Sequence, residues 1–463
     1  MIRRLRSRPA SFYRRLWALT LPIALQNLIT FSLGLIDTFM VSQLGNTEMA
    51  AVTAAHGPVF LLLSMVFGIQ SGLSILASQY WGKRDTVNIS RALGVACYLG
   101  VSLSLVFALA FFLRPVAIMD LLSNSHEISV LGAPYLRLIG FSYVCNMASS
   151  VYVSAQRSAG NSRFGMLLFG SSTILNTILN YILIYGHFGA PALGIQGAAL
   201  ATLLSRMVEL AVCVVYALRC RNLPLDIPAF LRPGWEMLRR FVRYASPVVF
   251  NELMWGLGNT MLTVILGYMD TSVEILAAYS VTGNLGRLFL VVCFGLGMAT
   301  GVMVGNTIGE GAGQDEVMDL SQALLDFTTV VGLVLAAVSL ALVPILFRPL
   351  VFPLFKLYGV SASIATALAV ASFAATPIHA YAISAITGVL RAGGDVQFST
   401  MLDIGPQWLF ALPLTALTAL VLKTGYWPVA IAIQSENLLK VPLCIWRVNS
   451  RKWIHDVTVR EEP

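Results

Sequence analysis

The chain has 463 residues, 57% of them hydrophobic and only 11% charged. Soluble domains carry about 25% charged residues, so this composition excludes an ordinary globular enzyme and indicates a polytopic α-helical membrane protein. A formal charge of +8 would suit a nucleic-acid binder, but its placement along the chain excludes that partner.

The opening segment "MIRRLRSRPASFYRRLW" is rich in arginine and runs into an apolar stretch. That stretch continues through Gln26 and Asn27 without a small-residue cleavage site. It reads as a basic cytoplasmic end and a first span, not as a signal peptide or a mitochondrial presequence. Apolar windows then predict about twelve spans, near 14–40, 50–78, 91–114, 128–154, 164–187 and 192–218, then 242–267, 275–304, 320–347, 362–389, 397–421 and 427–447. Arginines and lysines crowd alternate connections: Arg3 to Arg15, Lys83 to Arg91, Arg157 and Arg163, Arg219 to Arg243, and Arg447 to Lys452. The opposite turns "QLGNTEM", "HFGAP" and "YMDTSVE" have none. Arg114, Arg137, Arg348, Lys356 and Lys423 are exceptions on the outer side, and "GEGAGQDEVMD" is an acidic inner loop. The bias places both termini in the cytoplasm. Six scattered cysteines form no CxxC or His/Cys cluster and read as packing residues.

The polar stretch "RCRNLPLDIPAFLRPGWEMLRR", 219–240, divides two sets of six spans, 1–222 and 223–463, and reads as a cytoplasmic link between lobes. The halves echo one another. Pro22 falls over Pro247, Gly57 over Gly283, Gly82 over Gly309 and Arg157 over Arg391, at offsets of 225, 226, 227 and 234. An even number of spans per half makes the repeat parallel, a transporter architecture with its site between the lobes. "GLGMATG" has the wrong spacing for a dinucleotide loop and reads as close helix packing. "GKRD" lacks the upstream glycine of a phosphate loop, which argues against an ATP-driven pump.

Ionisable groups inside spans are functional hypotheses by default. Asp37, in "FSLGLIDTFMV", is either a cation or proton site or an interfacial carboxylate capping the turn before "QLGN". Asn176 and Asn180 lie one helical turn apart and face the same way. Amides in hydrocarbon need partners, so they read as interhelical hydrogen-bonders. Glu252, beside Asn251, follows Arg243 by nine residues, about 13 Å of helix rise, which places it inside the membrane. His379 reads as a hydrogen-bonded structural histidine, the alternative being a group that titrates near neutral pH.

The stretches "LPIALQNLITFSLGLIDTFMVSQLGNTEMAAV", "SQYWGKRD", "LNYILIYGHFGAPALGIQGAALAT" and "VLRAGGD" follow one another along nearly the whole chain. In that order they resemble the multidrug and toxic compound extrusion (MATE) transporters, most closely bacterial members. The resemblance implies a V-shaped pair of six-helix bundles that exports organic cations or amphipathic drugs against inward sodium or proton flow. It implies that Asp37 is the cation-coupling aspartate, with Asn176, Asn180 and Thr202 as partners, and that Na⁺ is held, if at all, at Asp37, Asn176 and Asn180. Glu252 with Asn251 then binds substrate or a proton. Two departures bear on the ion. Asn180 stands where many relatives carry a second aspartate, and Ala380 where some carry a carboxylate in the tenth span. Both favour proton over sodium coupling.

The expected protein is therefore a secondary antiporter, not an enzyme. It uses H⁺ or Na⁺ as coupling ion and no other cofactor, acts as a monomer among membrane lipids in a bacterial inner membrane, and binds no nucleic acid. Two alternatives are a lipid-linked precursor flippase of the same superfamily, which needs a basic cavity, and a membrane-embedded transferase, which needs paired surface aspartates.

Overall fold

The computed structural model of the protein describes residues 2–120 and 125–459. Among them the long elements are all helices. In chain order α1 to α6 are Ala10–Ser42, Asn46–Gly82, Thr86–Leu113, His126–Ser158, Ser162–Tyr185 and Ile195–Arg219. The helix α7 is Trp235–Gly267, and α8 to α12 are Ser272–Gly309, Gln314–Leu354, Val360–Leu390, Val396–Val421 and Tyr426–Asn449. Eleven of these, among the described residues, are long and apolar enough to cross a membrane. The exception is α7, which has 33 residues but begins with basic side chains and carries Asn251, Glu252 and Asn259 in its apolar part.

Ends are set by local chemistry. Asp85 accepts the Asn88 amide at 3.0 Å and caps α3. Gly186, at φ +77°, takes the left-handed turn that ends α5. Apolar side chains that remain exposed, such as Leu167, Ile174, Ile178 and Tyr181 on α5, recur at helical spacing and form a lipid-facing stripe.

The chain groups into two compact units, one of residues 25–249 and one combining the segment through Ala24 with everything from Phe250 onward. The divisions fall inside α1 and α7, just beyond Pro22 and Pro247. A helix-interior proline removes a backbone hydrogen bond and loosens the turn there. Within the first unit α4 is central and packs on α2, α3 and α6; within the second, α10 packs on α8, α9 and α12. Each partner lies six helices on from its counterpart, so the sequence repeat is a repeat of packing.

Close approach in the second unit rests on small residues. A Cβ at Gly388 of α10 would meet the Gly297 carbonyl oxygen of α8 at 2.8 Å, so "GLGMATG" is a packing seam. Around Pro377 and beyond, α10 relaxes into a wider π-helical stretch, Ser384–Leu390. The 219–240 link is ordered within the first unit: its short helix Ile227–Leu231 lies against Gly94 of α3, and Tyr98 donates to the Leu231 carbonyl at 3.2 Å. In the second unit, Arg4 pairs with Asp326 at 3.0 Å and Arg8 pairs with Asp319, so part of the acidic stretch at the start of α9 neutralises the basic terminus. Arg157 and Arg391 are both buried in their helix bundles, and neither is a solvated orienting charge.

Candidate functional site

Each unit holds a polar cluster inside its helices. In the first unit Asp37 of α1 meets α5 and α6. Asn180 donates from Nδ2 to Asp37 Oδ1 at 2.6 Å and to Asn176 Oδ1 at 2.9 Å. Asn176 donates from its own Nδ2 to Thr202 Oγ1 at 3.1 Å, and Thr202 donates to the Ala198 carbonyl at 3.0 Å. Both asparagines are buried on the face of α5 opposite its lipid stripe, where an amide without partners is costly.

This ladder has one polarity. Thr202 has spent its only proton on Ala198, so it must accept from Asn176. That turns the Asn176 carbonyl to Asn180, and both Asn180 bonds are then donated ones. The result is an N–H aimed at Asp37, the partner an ionised carboxylate requires. Asn180 Oδ1 is left buried with no hydrogen-bond partner among the described residues. All four residues predicted for this site are thus brought together.

One turn along α6 lies a trio that sequence reasoning missed. Arg206 pairs with Glu209 Oε2 at 2.5 Å, and Ser149 of α4 donates to Glu209 Oε1 at 2.5 Å. The Arg206 guanidinium also lies 5.9 Å from the Phe169 ring centroid. The signal available was an Arg and a Glu three residues apart within one apolar span.

The second unit places Glu252 and Asn251 of α7 in a larger cluster. Arg391 Nη1 and Nη2 lie 3.4 and 3.5 Å from Glu252 Oε1, and Nη2 lies 3.9 Å from Asp403 Oδ2. Asn251 donates to Asp403 Oδ2 at 2.9 Å. From α12, Lys440 Nζ reaches Asp403 Oδ1 at 2.8 Å and Glu436 Oε2 at 3.6 Å. Asp403, Glu436 and Lys440 were not anticipated, and Arg391 was noticed only as a repeat mark. Asp403 is a single charge in the apolar span 397–421, Glu436 and Lys440 lie one turn apart in 427–447, and Arg391 falls just past the predicted end of 362–389. His379 of α10 makes no hydrogen bond among the described residues. No group of three or more His, Cys, Asp or Glu suited to a metal ion occurs among the described residues.

Two repeated helical bundles with buried, partly accessible carboxylates define a membrane transporter. Residues 22–182 and 247–417 match the MatE family, and the chain belongs to it. One matched segment falls in each half of the repeat. The chain is 24% identical over 454 residues to a probable multidrug resistance protein, YoeA, of Bacillus subtilis, covering 96% of each. It is 25% identical over 428 residues to the multidrug resistance protein MdtK of Pectobacterium atrosepticum, covering 89% of this chain and 91% of that one. In fold it is similar to a mutant of the Vibrio cholerae MATE transporter VcmN, with a TM-score of 0.86, 18% identity, and 97% and 98% of the two chains covered. It is also similar to a Pyrococcus furiosus transporter of the MOP superfamily, with a TM-score of 0.83, 19% identity and 96% of each chain covered.

Proposed function

We propose that the protein is a secondary antiporter that exports organic cations or amphipathic drugs in exchange for protons, with Asp37 as the coupling carboxylate. The observation that carries this reading is the one-way amide ladder ending on Asp37. It stabilises the anion by donation alone, so loading and unloading a proton needs no metal. A sodium ion at Asp37, Asn176 and Asn180 is less well supported. It would want several converging oxygens, whereas Asn180 turns its N–H and not its Oδ1 to Asp37.

Coupling requires that the proton and the cargo compete for a site or favour different conformations. A carboxylate that binds a cation when ionised and releases it on protonation does the first. Glu252 with Asn251 is the corresponding candidate in the second unit, binding substrate or a proton. The multidrug names of YoeA and MdtK support the cargo class. Arginine and lysine placement supports cytoplasmic termini in a bacterial inner membrane, and a monomer among lipids suffices because both halves of the repeat lie in one chain. A flippase for phosphate-bearing lipids is disfavoured: Arg206, Arg391 and Lys440 are each already engaged by carboxylates.

The test is uptake of a fluorescent organic cation into proteoliposomes under an imposed proton gradient and, separately, a sodium gradient. Wild type should respond to the proton gradient alone, Asp37→Asn should lose the response, and Glu252→Gln should weaken it. Flux driven only by sodium, or unchanged in Asp37→Asn, would contradict the assignment.

A further inference from the structure

The cluster in the second unit has a charge count that selects its ligand. Three carboxylates, Glu252, Asp403 and Glu436, share two bases, Arg391 and Lys440. Counted over these five side chains, the formal charge of the cluster is minus one. Accessibility is divided by sign. The side chains of Glu252, Asp403 and Glu436 are 17%, 19% and 16% exposed, whereas those of Arg391 and Lys440 are 1% and 5% exposed. The bases are therefore withdrawn into the protein, and the carboxylates are the groups a ligand can reach.

The pairing is also uneven. Asp403 is held closely, at 2.8 Å by Lys440 and 2.9 Å by Asn251. Among the described residues Glu436 meets Lys440 at 3.6 Å, and Glu252 meets Arg391 through one oxygen at 3.4 and 3.5 Å and Asn251 Nδ2 at 3.5 Å. These contacts exceed the 2.7–2.9 Å of a strong charge-assisted bond. Within the same cluster Asn251 Oδ1 is buried with no hydrogen-bond partner among the described residues. An unmet acceptor beside two loosely held carboxylates is suited to a ligand that brings both a positive charge and N–H groups.

We propose that Glu252, Asp403 and Glu436, set against Arg391 and Lys440, form a charge-counting subsite that admits one organic monocation bearing N–H groups at a time. Lys440 is its positioning residue: a tethered ammonium that keeps Asp403 in place and sets the net charge at minus one. A dication would leave the site one positive charge in excess. The inference rests on the reading of the protein as a cation exporter and adds the charge class of the cargo.

The experiment compares ethidium, a monocation with ring amino groups, with propidium, a dication on the same ring system, by fluorescence titration of the purified full-length protein. Wild type should favour ethidium. Lys440→Gln raises the site to minus two and should reverse the preference. Glu436→Gln neutralises the site and should weaken ethidium by about tenfold or more, and the double variant Lys440→Gln/Glu436→Gln, back at minus one, should recover it. That recovery is not what two independent structural lesions produce. Equal binding of the two dyes by wild type, or a double variant no better than Glu436→Gln, overturns the subsite and leaves the exporter reading standing. Failure of wild type to bind any organic cation overturns both. Should Lys440→Gln not fold, the wild-type preference and the Glu436→Gln loss must both hold, and the absence of either overturns the proposal.

Discussion

Replacing Asn180 by aspartate is the sharpest perturbation of the first-unit cluster. Asn180 Nδ2 stands 2.6 Å from Asp37 Oδ1, so Asn180→Asp sets two carboxylates roughly 3 Å apart and removes both bonds that the amide donates. At an effective dielectric constant of about 20, two unit charges at that separation repel by about 5 kcal/mol. The pair cannot carry both charges, and it must hold a proton or a metal cation between its oxygens. The expected result is an exporter that has gained sodium sensitivity: dye flux in proteoliposomes should rise with a sodium gradient in Asn180→Asp and stay indifferent to it in wild type. If the variant matches wild type in both its sodium and its proton response, then Asn180 does not control the ion at Asp37.

Thr202→Val removes the acceptor for Asn176 Nδ2 and leaves a buried amide unpaired, a loss of about 1–3 kcal/mol; the detergent-solubilised protein should melt at a lower temperature and transport more slowly. Gly388→Ala forces a methyl group against Gly297 and Thr300, and overpacking of this kind costs about 1–3 kcal/mol; melting should fall while the ion dependence of the residual flux is unchanged. Asp326→Asn breaks a partly solvated pair with Arg4 and should change stability by less than about 1 kcal/mol, with melting nearly superimposable on wild type.

Much of the architecture was legible because apolar windows and a repeat of small residues are additive signals spread over many positions. Pro22 over Pro247 and Arg157 over Arg391 mark equivalent places in the two bundles, and the structure gives both arginines buried positions. In the first-unit site, spacing aligned Asn176 and Asn180, one turn apart on a single helix, whereas their link to Asp37 and Thr202 came from the resemblance to MATE transporters. The second-unit site was not. Its charges come from α7, α11, α12 and the residue that follows α10, and no spacing within one helix reports such a meeting. Asp403 sat alone in 397–421 and Glu436 and Lys440 shared 427–447, yet each charge costs roughly 2.5–3.5 kcal/mol in hydrocarbon. Opposite charges in consecutive spans therefore had to find one another, and that rule, applied to 397–421 and 427–447, would have located them. The same rule applied to α6 alone would have located Arg206 and Glu209.

The account turns on protons moving through Asp37 in exchange for cargo, and the direct measurement is proton counterflow with no proton gradient imposed. Proteoliposomes are loaded with an organic cation and a trapped pH indicator, then diluted into cation-free buffer of the same pH and ionic composition. Wild type should acidify the lumen as the cation leaves, and Asp37→Asn should not. Cation exit with no change in luminal pH, or acidification that persists in Asp37→Asn, would contradict the central claim.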